Sequence, residues 1–324
     1  MAAFLRWVGT QAQADKIDLV LFVSAGESLP TRAATALNLS GFPRVGTLQV
    51  SRSILLLAAT NYRNFDEQME ALTSGFVGLR LHDFLQRLDV PPPAGHVLED
   101  LGFGEKIILT AAQAQPLRRF LLAYRWEILK SAARARRGLF LQLQQLRVAP
   151  GTRLAVVDMG FDSKIPSALS TALEGMFDVD LCFYNLFSPV GASPKHEVVP
   201  VRAMLGQSTG PEMAANRALV EMLINPAGGE LVGYEDRGAG MAAVLFSPPA
   251  PNRQQVAHLI DGAEAFCRQA QGRAGGADPV AAFQPFMDFV KNTNDPVRQA
   301  IAAVLASDAA PEAPHVRRRV VPLS

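Results

Sequence analysis

The segment RLAVVDMGFDSKI, from Arg153 to Ile165, constrains this chain more than any other. Leu154-Ala155-Val156-Val157 is an unbroken apolar run, as expected of a strand covered on both faces, and it ends on Asp158. A polar loop follows, and a helix is expected to open near Pro166. Strand, loop and helix N-terminus in that order form the building unit of a parallel α/β sheet. In such sheets ligands bind where strands end and helices begin, because free backbone N–H groups and the helix dipole point there. Asp158 therefore has two readings: a carboxylate that holds ribose hydroxyls or Mg²⁺, or one that only caps the turn after the strand.

The rest of the chain repeats the alternation. Phe4, Leu5, Val8 and Ala12 recur at helical spacing ahead of the apolar run Ile17 to Val23, and helical spacing returns from Leu29 to Leu39 before a short strand at Val45 to Val50. The stretch from about residue 61 to 150 reads as a helical insertion, with short helices at Phe65 to Leu72 and Leu81 to Leu88 and one long or kinked helix beginning near Pro116. The arginines of that helix, Arg118, Arg119, Arg125, Arg134, Arg136 and Arg137, are read as a solvated face, with an anion-binding surface as the other possibility. Val179 to Tyr184 reads as a strand, Ser188 to Gly210 as a loop, and Met213 to Ile224 as a helix. Strands at Leu231 to Tyr234 and Ala242 to Phe246 and a helix at Gln254 to Gln271 complete the main domain, 1–272. A helical extension is expected over 273–308 and a mobile tail over 309–324. The fold class is α/β, a mainly parallel sheet flanked by helices.

Charge and cysteine usage remove several function classes. Thirty-one Lys and Arg balance 30 Asp and Glu, so no global field attracts nucleic acid or an anionic membrane. Two cysteines, Cys182 and Cys267, cannot build a disulfide framework and fit a reducing compartment, with the cytoplasm as the expected location. No apolar run approaches the roughly 20 residues of a membrane span. The five histidines show no metal-ligand spacing, and neither G-x-G-x-x-G nor a Walker A sequence occurs. Gly206-Gln207-Ser208-Thr209-Gly210 spells G-x-S-x-G, but Pro211 follows at once and no clean strand precedes it, so it reads as a loop and not as a nucleophile elbow.

Taken together, Leu21-Phe22-Val23-Ser24, LQVSRSILLLAA from Leu48, RLAVVDMGFDSKI, CFYNLF from Cys182 and EMLINPAGGELVGYE from Glu221 resemble a bacterial family. It is the phosphoribosyltransferase-like domain encoded beside haloacid-dehalogenase-type phosphatases and glycosyltransferases in polysaccharide gene clusters. The resemblance spans about Phe4 to Ser307 and implies a phosphoribosyltransferase-like fold. It further implies transfer of 5-phosphoribosyl from phosphoribosyl pyrophosphate to a glycan hydroxyl, with Mg²⁺ as cofactor. On this likeness Asp158 is the catalytic and metal-binding acid, while Ser51, Arg52, Gly160, Ser163 and Lys164 bind the donor and its phosphate. The sequence departs from the family in three places. Ser24-Ala25-Gly26-Glu27 stands where the family reads Ala-Arg-Asp-Gly, Ser53 replaces a second arginine, and Asp162-Ser163-Lys164 replaces a Ser-Gly-Ser phosphate loop. A carboxylate about 4 Å from a phosphate costs on the order of 4 kcal/mol at an effective dielectric near 20. These losses keep a second reading open: a non-catalytic relative that serves as scaffold or regulator for a glycosyltransferase or phosphatase partner.

Overall fold

The computed structural model describes residues 1–24, 29–37, 42–161, 164–188, 199–206, 213, 215–224, 230–238, 240–247, 253–270, 278–301 and 317–322. Five strands form one sheet: β1 (Leu19–Ser24), β2 (Arg44–Gln49), β3 (Arg153–Asp158), β4 (Asp180–Phe187) and β5 (Val201–Leu205). Their spatial order is β2-β1-β3-β4-β5 and every pairing is parallel, so the strand order reverses between β1 and β3. The apolar runs of β1 and β3 follow from this position, since a central parallel strand is covered on both faces.

Alternation along the strands divides the interior into two cores. Leu19, Leu21, Leu48, Leu154, Val156 and Phe183 face one side. There they meet α3 (Arg52–Ala59), α4 (Phe65–Thr73), α5 (Leu81–Arg87), α7 (Ala114–Ala123), α8 (Arg125–Gln145) and α9 (Lys164–Leu173), while α6 (Gly95–Asp100) adds Leu98. Val20, Phe22, Ala155, Val157, Tyr184 and Leu186 face the other side. They pack on α1 (Ala2–Ala14), α2 (Leu29–Leu37), α10 (Arg217–Ile224), α11 (Arg253–Gln269) and α12 (Pro279–Lys291). Helices on both faces of a parallel sheet make this an α/β protein with helical additions.

Residues expected as an insertion, 61–150, contribute to the first core. Leu139 and Leu143 of α8 pack in the same cluster as Leu21 and Val156. The long helix is kinked: α7 and α8 are separated by Tyr124 alone, whose ψ of 9° leaves the helical well. Arg118, Arg119, Arg125, Arg134 and Arg137 are exposed, as a solvated face requires, whereas Arg136 is half-buried and donates to the carbonyls of Ala58 and Thr60.

Two segments differ from expectation, and a third is one for which the sequence suggests no element. The loop expected over Ser188 to Gly210 contains β5, whose five residues escape notice because Pro200 and Gly206 bracket them. Gln207 to Gly210 of the G-x-S-x-G sequence lie outside the described residues. The run after Ser51 is helix α3, capped by the Ser51 hydroxyl accepting the Ile54 N–H at 3.2 Å. Finally, part of the tail expected to be mobile, Arg317–Pro322, is strand β8. It pairs antiparallel with β7 (Met241–Ser247), which in turn pairs with β6 (Glu230–Asp236) in a second sheet. A backbone ladder organises this segment where no amphipathic pattern does, so the partner strand, and not local sequence, decides its conformation.

An ion pair closes the far side of the sheet. Arg202 on β5 grips Asp15, the residue that ends α1, through two bonds of 2.8 and 2.9 Å, and the buried Tyr184 hydroxyl donates to the same carboxylate at 2.8 Å. Burial pushes the Asp15 carboxyl up, but the Arg202 fork and the Tyr184 hydroxyl outweigh it and hold the group below the usual carboxylate range. A depressed folded pKa adds stability above the unfolded value near 3.9, and that contribution is lost as pH falls through the lower folded value. Asp15→Asn is therefore expected to cost about 1 kcal/mol at pH 7, or roughly 1–2 °C in melting temperature. The gap between the two proteins should begin to shrink below about pH 4 and close only once pH has fallen through the lowered folded value.

Candidate functional site

In α/β sheets ligands bind at the carboxyl edge where strand order reverses, which here is at β1 and β3. Asp158 is the last residue of β3 and sits half-buried on that edge. Its Oδ2 accepts the Gly160 N–H at 3.1 Å, an Asx-type turn that sends the chain away from the sheet. Gly160 takes φ +86°, and a Cβ built there would lie 2.0 Å from the Phe187 carbonyl oxygen. Only glycine allows this approach. The turn is anchored further by the Phe187 N–H donating to the Met159 carbonyl at 2.9 Å, and by Phe161 stacking on Phe187 at 5.3 Å. Arg217 lies over the Phe161 ring, 5.5 Å from its centroid.

The sequence reading placed six residues at the site, and the structure distributes them. Asp158 and Gly160 share the turn, and Lys164 opens α9 as an exposed side chain. Ser163 lies outside the described residues. Ser51 and Arg52 are on the same carboxyl edge but after β2, two strands from β3, which at a strand spacing near 4.8 Å is about 10 Å. The Ser51 hydroxyl is occupied as the N-cap of α3. Arg52 donates from Nη2 to the Ser74 hydroxyl at 3.0 Å and lines a small pocket with Leu56, Leu72 and Leu88.

One polar residue in this region did not stand out in the sequence. Asn185 is the register partner of Asp158 on β4 and points to the same face of the sheet, under the Gly160 turn, where a Gly160 Cβ would lie 3.0 Å from the Asn185 Cβ. It is 1% exposed, and among the described residues its Oδ1 has no hydrogen-bond partner. A polar letter inside the otherwise apolar run Cys182 to Phe187 is the signal that could have found it.

Among the described residues no three His, Cys, Asp or Glu side chains cluster as a metal cage. Mg²⁺ does not require one, since it keeps several waters and takes one or two carboxylates together with substrate phosphates. Asp158, a hard oxygen donor at the strand end, fits that limited role. Neither cysteine offers a nucleophile at neutral pH: burial pushes the Cys182 thiol up to about 11 and raises that of Cys267. No helix among the described residues is long and apolar enough to cross a membrane.

Fold and site thus define an α/β protein, helices on both faces of a parallel sheet, with a candidate ligand site at the carboxyl edge of β3 by the β1/β3 switch point. No protein-family model matches the chain, and no curated protein matches it.

Proposed function

We propose that this protein is a phosphoribosyltransferase-like component of bacterial glycan assembly that transfers 5-phosphoribosyl from phosphoribosyl pyrophosphate to a glycan hydroxyl in the cytoplasm. The observation that carries the reading is Asp158 at the end of β3, fixed by the Gly160 turn at the point where strand order reverses. In the transfer, the acceptor hydroxyl oxygen forms a bond to the anomeric carbon while the bond from that carbon to pyrophosphate breaks. Positive charge builds on the ribose ring and negative charge on the departing group. Asp158 would orient ribose hydroxyls and hold the hydrated Mg²⁺, whose bound form neutralises charge on the diphosphate. Gly160, whose N–H is spent on Asp158, would shape the turn, Lys164 at the start of α9 would bring positive charge to the phosphate together with Ser163, and Ser51 and Arg52 would reach the donor from the β2 side.

A specific observation favours the second reading, a non-catalytic scaffold or regulator. Ser51 and Arg52 both spend hydrogen bonds within the protein, on Ile54 and Ser74. The two readings separate on one variant. Asp158→Asn keeps the side-chain shape and removes the charge. If Asp158 serves a ligand, the variant melts within about 1 °C of wild type and loses Mg²⁺-dependent binding of phosphoribosyl pyrophosphate. If Asp158 only ties the turn, it costs about 1 kcal/mol of stability and leaves binding unchanged. A scaffold binds neither donor nor metal and co-purifies with a glycosyltransferase or phosphatase.

A further inference from the structure

The buried amide oxygen of Asn185 is an anomaly that the fold does not explain. Buried polar atoms in folded proteins are nearly always paired, and leaving an acceptor unpaired costs about 1–3 kcal/mol. Asn185 is inside strand β4 between Tyr184 and Leu186, both fully buried, and a leucine there would be of similar volume without that cost. A residue that is worse for stability than its apolar neighbours is placed for something other than packing.

Its surroundings say what that is. Asn185 pairs in register with Asp158, so an amide oxygen and a carboxylate stand side by side on one face of the sheet edge, beneath the turn that Gly160, at positive φ, brings close to β4. The two oxygens both accept hydrogen bonds, and two adjacent acceptors suit a group rich in donors. A phosphate, which is itself an acceptor, is repelled from that spot.

We propose that Asn185 is a ligand-contacting residue of the switch-point site, accepting a hydrogen bond at Oδ1 from a hydroxyl of a polyhydroxylated ligand beside Asp158. This rests on the reading that the site binds a sugar phosphate, and it orients that ligand: hydroxyls toward β3 and β4, phosphate away from them.

The test uses the full chain and two variants, Asn185→Leu and Asn185→Ala, titrated with phosphoribosyl pyrophosphate plus Mg²⁺, D-ribose 5-phosphate, D-ribose and inorganic phosphate, with melting temperatures measured in parallel. Asn185→Leu is expected to melt no lower than wild type while binding D-ribose 5-phosphate and D-ribose at least tenfold more weakly, with phosphate binding unchanged. If leucine prevents folding, Asn185→Ala, which adds no atoms, carries the same comparison. Wild-type affinity for the ribose probes in a folded variant overturns the inference and leaves the donor reading standing. Should wild type bind the ribose probes but not phosphoribosyl pyrophosphate with Mg²⁺, the donor reading falls, and a tenfold loss in the variants still upholds the role of Asn185. Failure of wild type to bind any ribose probe overturns both.

Discussion

Gly160→Ala is expected to destabilise the protein by at least about 3 kcal/mol, or roughly 4 °C or more in melting temperature for a chain of this length. Two costs add. Holding a non-glycine residue at φ +86° costs about 1–2 kcal/mol. The larger cost is steric: the new methyl would sit 2.0 Å from the Phe187 carbonyl oxygen, a backbone atom of β4. Moving it means breaking the Met159–Phe187 hydrogen bond that anchors the turn. Gly75→Ala supplies the control, since Gly75 has φ +79° but no atom within 4 Å of the added methyl. Only the conformational cost applies there, so a difference of about 2 kcal/mol or more between the two variants isolates the contact with β4. Equal melting temperatures would contradict the close approach.

The second large effect reverses a general rule. Replacing glycine by alanine inside a helix ordinarily stabilises by up to about 1 kcal/mol, and exposed Gly262 of α11, with open space around it, is expected to follow that rule. Gly138 of α8 is expected to do the opposite and lose about 2–4 kcal/mol. Its methyl would stand 2.2 Å from the Tyr234 ring, and that ring is fixed, being 2% exposed with its hydroxyl donating to the Gln49 carbonyl at 2.7 Å. Desolvation raises the Tyr234 hydroxyl far above the ordinary phenol range, so the bond persists across the usable pH range. Glycine at 138 is thus the residue that lets the second sheet dock on α8. Combining Gly138→Ala with Tyr234→Ala removes the ring atoms at 2.2 and 2.3 Å and leaves only the Cβ contact at 2.8 Å, so the pair of changes should cost less than the sum of the two singles.

How much of this was legible depended on where each segment's information lies. β1 and β3 carry their own signal, because a strand covered on both faces must be apolar throughout, and Leu19 to Phe22 and Leu154 to Val157 are. The kinked helix from Pro116 and the alternation of strands and helices were equally readable. Helix α3 was not, for the same reason that made β3 obvious: all six residues from Ile54 to Ala59 are buried, so no polar face marks the helical period. Strand β8 was invisible because Arg317-Arg318-Arg319 looks like a solvated tail until β7 provides a ladder.

The candidate site divides in the same way. Strand-loop-helix order alone points to Asp158 at the strand end, whereas Gly160 enters only through the family likeness. Asn185 gains its meaning only from register, 27 positions along the chain in the neighbouring strand, and the engagement of Arg52 with Ser74 depends on how α4 folds back on α3. Local pattern locates the edge of the sheet, while long-range pairing decides which side chains share it.

Calorimetric titration of the wild-type protein with phosphoribosyl pyrophosphate, with and without Mg²⁺, tests the central claim most directly. Saturable binding at one site per chain that strengthens at least tenfold with Mg²⁺ and disappears in Asp158→Asn is the predicted result. No heat in either condition, or binding that Asp158→Asn leaves unchanged, would contradict it.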